Sequence, residues 1–435
     1  MTSSAPGELP TATAPGYKPG ETNMHALTWH GKRDVRVSSV AKPTITDPTD
    51  IVIKTTGATV CGSDLHLYHG DIPDLEKGEI LGHEGVGIVD QVGAQITKFK
   101  VGDRVVASFS VACGSCQHCK DQQFTMCDRT NKSGKMEQLY GQKLGGILGY
   151  SHLLGGYAGT QAEYFRVPFG DINCFHLPDE VPDEKALLLA DVSLTAYHSV
   201  VDIGFKEGET AAIWGAGPIG QLIAQWLTKV FGAKKVILID NVAPRLQWAK
   251  DRLPIEVINF DHTGQVAEEI MKKVPGGVDV SFDAAGFRYS KSFLHRAMQT
   301  LSLEIDTPET LNEAIRATRK CGRISVIADY VGVCGGFLIG ALMEKAITLK
   351  GNGQAPVQRY MDKVVAEYIV PGKFDPTLIL THRFTFDDVA KAYKSFDQKR
   401  IDESKGIPYL KAFIETKHSK PRAAGTPELG PVPGA

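Results

Sequence analysis

Hydrophobic and polar positions follow two different patterns in two parts of the chain. In residues 24–60 the β-branched residues come in short runs with partial alternation, and turns rich in Gly, Pro and Asp recur from there to about residue 104. Short, partly alternating runs between frequent turns are typical of closely spaced strands. This part of the chain is therefore predicted to form a compact β-rich unit, a barrel or a folded sheet.

The pattern changes near Gly208, where buried strands begin to alternate with helices. Residues 209–214 predict a strand, and the apolar residues that follow fall at the spacing of one helical face: Ile219, Leu222, Ile223, Trp226, Leu227 and Val230. A second apolar run ends at Asp240. Further strands are predicted at residues 255–260, 278–282, 322–327 and 346–349, with a helix at 308–319. Such alternation predicts an α/β domain with a doubly wound parallel sheet.

The chain has 435 residues, which is too long for one ordinary core and suggests two or three domains. The alternation stops after about residue 353, so the chain is expected to return to the first domain. The predicted organisation is a disordered leader, a β-rich domain in two segments, an α/β domain and a disordered tail: residues 1–23, 24–195 with 354–416, 196–353, and 417–435.

Composition excludes several classes of function. The formal net charge is -2, so there is no electrostatic footprint for nucleic acid or an anionic membrane. No apolar run is long enough for a transmembrane helix, and the first residues lack the features of a targeting signal. Eight cysteines are too few for a disulfide scaffold, and four of them are clustered. This favours metal binding in a reducing compartment, and the cytoplasm is the expected location.

The clustered cysteines are spaced Cys-x2-Cys-x2-Cys-x7-Cys: Cys113, Cys116, Cys119 and Cys127. Two-residue gaps let thiolates converge, and four thiolates complete a tetrahedron with no open position, so the spacing predicts a structural zinc. An iron–sulfur cluster is the first alternative, but the last gap is too long and no proline follows the fourth cysteine. Four unrelated buried thiols are the second, and their clustering argues against it.

A second candidate metal site begins with Cys61 and His83, which lie 22 residues apart in a glycine-rich frame. Both are residue types that zinc binds, and Glu84 beside the histidine offers a further oxygen ligand. The pair alone is equally consistent with a structural core. Asp191 is either the N-cap of the helix that follows it or a third ligand, and pattern alone favours the cap.

A dinucleotide fingerprint follows the first strand of the predicted parallel sheet. Residues 215–220 read G-x-G-x-x-G, comprising Gly215, Gly217, Pro218, Ile219 and Gly220, and Asp240 ends the next strand 20 residues later. In a strand–turn–helix–strand context this is a strong signal, because the glycines admit the pyrophosphate to the helix N-terminus. Asp240 would accept from both ribose hydroxyls and repel a 2′-phosphate, which favours NAD over NADP. Arg245 weighs against that preference unless it faces solvent.

Together these motifs resemble the zinc-dependent alcohol dehydrogenase (medium-chain dehydrogenase/reductase) family. The resemblance rests on C-G-S-D-L-H at 61–66, G-H-E at 82–84, G-D-R-V at 102–105, the four-cysteine lobe and the glycine motif. Residues 150–164 and 340–350 are similar to the formaldehyde-dehydrogenase-like subgroup. The resemblance implies a GroES-like β-barrel catalytic domain, a Rossmann NAD-binding domain and a homo-oligomer, a tetramer or dimer.

The resemblance also implies residue roles. Cys61, His83 and Asp191 match the catalytic zinc ligands, which overrides the cap reading of Asp191. Glu84 matches an acid beside the metal, and Ser63 and His66 match a proton relay. The implied activity is hydride transfer between an alcohol or a formaldehyde-like aldehyde hydrate and NAD. The alternatives are an NADPH-dependent enone or quinone reductase without catalytic zinc, and a non-enzymatic zinc-binding module.

Overall fold

The computed structural model describes residues 23–285, 307–398, 401–402 and 406–432. Almost all of the predicted leader therefore lies outside the described residues. The chain forms two compact units. The first comprises Met1–Leu194, Pro356–Asp402 and Tyr409–Ala435, and the second comprises Thr195–Ala355 and Glu403–Pro408. Among the described residues, no helix combines the length and the apolar character that a membrane crossing requires.

Strands and helices are numbered separately in chain order. The strands are β1 Asn23–Gly31, β2 Asp34–Ala41, β3 Ile51–Ala58, β4 Gly85–Val92, β5 Arg104–Ala107, β6 Ser110–Val111, β7 Gly146–Ile147, β8 Tyr164–Val167, β9 Cys174–His176, β10 Thr210–Trp214, β11 Lys235–Asp240, β12 Glu256–Asn259, β13 Val278–Asp283, β14 Thr318–Val326, β15 Thr348–Gly351, β16 Leu380–Thr385, β17 Ile401–Asp402, β18 Ile407–Pro408 and β19 Lys411–Glu415. The α-helices are α1 Gly62–His69, α2 Gln117–Lys120, α3 Gly134–Tyr140, α4 Gly170–Asn173, α5 Asp183–Leu187, α6 Val192–Asp202, α7 Pro218–Lys229, α8 Ala243–Lys250, α9 Val266–Lys273, α10 Glu309–Ala317, α11 Ile339–Glu344, α12 Val357–Val364 and α13 Val389–Asp397.

The first unit is built on a seven-stranded sheet in the order β16-β19-β3-β4-β5-β9, with β8 also paired to β3. Its β-branched and aromatic residues pack into one core, which includes Ile53, Val89, Val105, Phe165 and Val167. Two strands of this sheet, β16 and β19, come from the returning segment after residue 356. The segment after residue 356 therefore contributes strands to the same sheet as β3, β4 and β5.

The second unit is a six-stranded parallel sheet in the order β12-β11-β10-β13-β14-β15. Numbered within the sheet this is 3-2-1-4-5-6, the order of a doubly wound dinucleotide fold. The predicted helical stripe lies on α7, where Leu222, Ile223, Trp226 and Leu227 are fully buried. The predicted fold class, a β-rich domain combined with a Rossmann-like parallel sheet, is confirmed.

Composition predicts a disordered tail from residue 417, but the structure describes this segment as far as residue 432 and shows it bonded to the first unit. The backbone N–H of Ala423 donates to Glu184 at 2.9 Å, and the carbonyl of Pro427 accepts from Arg383 Nε at 3.0 Å. Arg383 is 1% exposed and also pairs with Glu184. The ion pair of Arg383 and Glu184 is buried and has further hydrogen-bond donors and acceptors, which bind the backbone of this segment. Composition alone does not reveal this interaction.

Candidate active site

The four clustered cysteines lie on and around α2, with Cys119 in the helix and Cys116 at its N-cap. Their sulfur atoms lie within 4.8 Å of one another, and backbone N–H groups of Ser115 and Cys116 donate to Cys113 Sγ at 3.4 Å. A hydrogen bond from the Cys119 thiol lowers the pKa of Cys127 to about 4, and the same pairing raises the pKa of Cys119. The backbone N–H of Cys113 also donates to Cys127 Sγ, at 3.4 Å, and favours the thiolate form of that residue. The cluster fits a structural zinc.

The sheet brings Cys61 and His83 together. Strands β3 and β4 are antiparallel, and Ala58 at the end of β3 pairs with Gly85 at the start of β4. Cys61 comes shortly after β3, at the N-cap of α1, and His83 comes shortly before β4. Residues that follow one strand lie at the same end of the sheet as residues that precede its antiparallel neighbour. Cys61 and His83, which are 22 residues apart in the sequence, are therefore brought close together.

Asp191 reaches the same edge through a third strand. Ala107 at the end of β5 also pairs with Gly85, and two residues later the N–H of Phe109 donates to the carbonyl of Ala190 at 3.2 Å. Asp191 directly precedes α6, as the cap reading expected, and its Oδ2 lies 3.4 Å from His83 Nε2. The sulfur of Cys61, a ring nitrogen of His83 and a carboxylate oxygen of Asp191 all lie within 4.8 Å of one another.

Asp64 orients this group and was not among the predicted site residues. Its Oδ1 lies 3.2 Å from His83 Nδ1, and its Oδ2 accepts from the backbone N–H of Cys61 at 2.8 Å. A carboxylate on one ring nitrogen of a histidine turns the other nitrogen toward a metal. The available signal was the position of Asp64 three residues after Cys61, where an acidic residue completes a capping box.

The three residues lie in a negative electrostatic environment. Burial lowers the pKa of His83, but the carboxylates of Asp64 and Asp191 outweigh it and raise that pKa well above its usual value. A divalent cation at this position would meet one sulfur, one nitrogen and one oxygen donor, with the Asp64 carboxylate on the other ring nitrogen of His83. The donor set and its surroundings fit zinc, with three protein ligands and one open position.

Glu84 lies beside His83 and forms a buried ion pair with Lys411 on β19. Both side chains are 1% exposed. Burial lowers the pKa of Lys411, but charge at Cys61, Glu84 and Asp191 raises it overall, so the lysine carries its proton. Lys411 is a second residue that sequence reasoning missed, and a lone lysine in an apolar strand offered no signal for its partner.

The predicted relay residues Ser63 and His66 both lie on α1. They are three positions apart and therefore share one face of the helix. Ser63 Oγ is 3.4 Å from His83 Nε2, so the hydroxyl adjoins the candidate metal ligands. His66 Nδ1 is 3.4 Å from Asp71 Oδ2.

The glycine motif lies in the second unit, at the turn from β10 to α7. Gly215 has φ of +100°, and a Cβ on Gly220 would lie 1.8 Å from the carbonyl oxygen of Gly215, so both positions require glycine. At Gly217 a Cβ would meet nothing within 4 Å, which leaves its backbone open to an approaching group. Pro218 and Ile219 begin α7. The turn adjoins the point where the strand order reverses, between β10 and β13, where doubly wound sheets bind ligands.

Asp240 ends β11 and connects to the same turn. Its Oδ2 accepts from the backbone N–H of Ala216 at 2.6 Å, and its Oδ1 accepts from those of Asn241 and Val242. An ionised carboxylate has about four acceptor positions, so it retains capacity for a ribose hydroxyl. Arg245 lies in the first turn of α8, five residues further on.

Comparison with known proteins adds the family. Residues 47–179 match the alcohol dehydrogenase GroES-like domain. A zinc-type alcohol dehydrogenase-like protein of Schizosaccharomyces pombe is 42% identical over 389 residues, which cover 89% of this chain and 91% of that protein. The chain belongs to the zinc-type alcohol dehydrogenase family. The resemblance drawn from the motifs is confirmed at this level.

Other members of the alcohol dehydrogenase family match over most of their length. A glutathione-independent formaldehyde dehydrogenase of Pseudomonas aeruginosa is 30% identical over 421 residues, covering 92% of this chain and 98% of that protein. Among solved structures, the alcohol dehydrogenase TADH from Thermus sp. ATN1 is 30% identical with a TM-score of 0.74, covering 91% of this chain and 100% of that one. The similarity therefore includes both units.

Proposed function

We propose that this chain is a zinc-dependent oxidoreductase that transfers a hydride between an alcohol, or the hydrate of a formaldehyde-like aldehyde, and NAD. The observation that carries the proposal is the convergence of Cys61, His83 and Asp191, three donors from distant parts of the sequence, within 4.8 Å. The four-cysteine lobe would hold a second, structural zinc. All eight cysteines are free thiols, which suits the cytoplasm as the proposed location.

Each residue of the site has a distinct task in this proposal. Zinc, when bound, supplies a Lewis acid that makes a substrate hydroxyl more acidic. Asp64 keeps His83 in the orientation that binds the ion. Ser63 accepts the proton of a hydroxyl held beside the ligands as it releases its own, and His66, one turn further along α1, accepts a proton from this relay and passes it to solvent.

Aromatic side chains bound this space and limit access of water. The rings of Phe109 and Tyr150 contact the His83 ring edge-on, with centroids 6.3 Å and 6.0 Å away. Both aromatic residues are buried. A water-poor surrounding strengthens every electrostatic interaction at the site.

A substrate panel tests the proposal directly. Formaldehyde, larger aldehydes, and primary and secondary alcohols would be followed by NADH absorbance, with and without glutathione. Because a relative is named as glutathione-independent, we expect turnover of at least one of these compounds without the thiol. Two zinc ions per chain are expected as well. One zinc per chain with NADPH-dependent enone reduction would instead support the reductase alternative, and zinc without dinucleotide binding would support a non-enzymatic module.

We propose that Asp240 selects NAD by accepting a hydrogen bond from its ribose. Asp240→Ala should raise the KM for NAD about 10- to 100-fold, since a hydrogen bond to a charged group contributes about 1.5–3 kcal/mol. The preference for NAD over NADP should narrow at the same time. Initial rates with both cofactors measure this. Asp261→Ala, which removes an acidic residue on the same unit outside the motif, is the control, and an unchanged KM in Asp240→Ala would contradict the ribose assignment.

We also propose that the protein is a homo-oligomer. Strand β15 is the last strand on one side of the parallel sheet. Within the described part of the chain, all four of its residues are exposed. Ile339 and Met343 on α11 are exposed as well, at 63% and 66%. An open strand edge beside apolar side chains is a surface that pairs with another chain. Light scattering should therefore give the mass of a dimer or tetramer, and a monomer at micromolar concentration would exclude this surface as an interface.

A further inference from the structure

Two histidines in the last turn of α1 form a cluster with two carboxylates that lie outside this helix. Asp71 Oδ2 lies 3.4 Å from His66 Nδ1 and 3.8 Å from His69 Nδ1. His69 Nε2 lies 2.6 Å from Oδ1 of Asp397, the last residue of α13. The Asp71 side chain is only 6% exposed, whereas the other three are 20% or 21% exposed. The cluster thus centres on one nearly buried carboxylate.

The chemistry of this carboxylate determines the state of His66. An ionised carboxylate accepts hydrogen bonds and cannot donate them, so an ionised Asp71 favours the His66 tautomer that has N–H at Nδ1. In a neutral imidazole the other nitrogen, Nε2, is then the proton acceptor. A carboxylate that holds Nδ1–H in this way also stabilises the imidazolium formed when Nε2 takes up a proton, as in the Asp–His pair of serine hydrolases.

Neighbouring contacts keep Asp71 in this position. The backbone N–H of Asp71 donates to the carbonyl of His66 at 2.9 Å, which places the carboxylate against the end of α1. Tyr68 on α1 contacts the ring of Tyr393 on α13, with centroids 5.6 Å apart, and this contact holds the helix that supplies Asp397. His69, paired with Asp397, faces the same Asp71 oxygen as His66, with its Nδ1 3.8 Å away.

We propose that Asp71 is a positioning residue that holds His66 in the tautomer with Nδ1 protonated and Nε2 accepting. The inference rests on the proposed function only in assigning His66 as the acceptor of the substrate proton. His69 and Asp397 restrain Asp71 and do not contact the substrate. Nothing in the motif that suggested His66 includes Asp71, which lies beyond the end of the helix.

The tautomer is measured on the zinc-loaded, cofactor-free protein, so that this result does not depend on activity. Histidine labelled with ¹⁵N distinguishes protonated from unprotonated ring nitrogens by chemical shift, and His66→Asn identifies the signals of residue 66. In the wild type we expect Nδ1 of His66 to be protonated and Nε2 unprotonated. Asp71→Asn replaces the carboxylate by a neutral amide, which offers a donor as well as an acceptor and should therefore weaken or reverse this preference. A wild-type ring protonated at Nε2, or a preference unchanged in Asp71→Asn, would overturn the proposal.

Kinetics of the holoenzyme provide the second readout. Asp71→Asn should lower kcat by about 10- to 100-fold and should change the KM for NAD by no more than about twofold. Added imidazole should restore part of the rate, because it can accept the proton in place of His66.

Asp74→Asn is the matched control, because Asp74 lies in the same loop but pairs with Lys135 at the surface and should leave both readouts unchanged. A kcat unchanged in Asp71→Asn would exclude the positioning role. If the wild type turns over no alcohol or aldehyde, the proposed function is excluded. The ¹⁵N measurement of the His66 tautomer still tests the positioning role of Asp71 in that case.

Discussion

Replacing Cys61 by alanine is expected to abolish turnover, with kcat falling by about a thousandfold or more. A metal Lewis acid contributes several kcal/mol of transition-state stabilisation, and each 1.4 kcal/mol corresponds to a factor of ten in rate. Removing one of three protein ligands leaves His83 and Asp191, which is too few for a tightly held zinc. Zinc content should fall from two ions per chain to one. NAD binding should persist, because the glycine motif and Asp240 belong to the other unit.

Two cysteine variants serve as controls for this experiment. Cys174→Ala removes a buried thiol outside both clusters, and because burial raises the pKa of Cys174, this thiol is inert. That variant should keep both zinc ions and the wild-type rate. Cys116→Ala should lose the structural zinc instead, with lower thermal stability. Elemental analysis, calorimetry with NAD and the NADH assay together separate the three cases, and two zinc ions with normal turnover in Cys61→Ala would exclude the proposed catalytic centre.

The elements that the sequence predicted well are those with a local signal. The apolar stripe on α7 and the runs that form β10, β11 and β13 repeat at the spacing of helices and strands, and each lies within a residue or two of its predicted place. The spacing of the four clustered cysteines is likewise local. Local patterns are readable because the residues that create them are neighbours along the chain.

Contacts between distant residues were not readable from pattern. Asp191 follows His83 by more than 100 residues, and its two interpretations could be distinguished only by resemblance to a family. In the structure the residue directly precedes α6 and its carboxylate lies 3.4 Å from His83 Nε2. Arg383 and Glu184, which anchor residues 417–432, are 199 residues apart. Pairing between strands creates such contacts, and amino-acid composition carries no information about which strands pair.

Replacing Lys411 by methionine is expected to lower the free energy of unfolding by about 3–5 kcal/mol, because breaking a buried ion pair leaves the other charge without compensation. Lys411 and Glu84 are 327 residues apart and both 1% exposed, so Glu84 would remain buried without its cation. Burial already raises the pKa of Glu84, and Lys411 is the largest influence that lowers it. Chemical denaturation at neutral pH measures the change.

The pH dependence of the Lys411→Met deficit has a definite sign. Without the lysine, the pKa of Glu84 in the folded protein rises further above its unfolded value, so the variant is relatively more stable at acid pH and loses stability as pH rises. The deficit relative to wild type should therefore be largest at neutral pH and shrink toward the ordinary pKa of a carboxylic acid.

A second substitution distinguishes an uncompensated charge from lost packing. Glu84→Gln combined with Lys411→Met removes both charges and should recover much of the stability, because replacing both partners of a buried pair is far less costly than removing one. Lys417→Met breaks an ion pair to Glu163 from a lysine that is 58% exposed, and it should change stability by no more than about 1 kcal/mol. A double variant as unstable as Lys411→Met alone would show that packing of the lysine stem, and not its charge, holds β19 against the site.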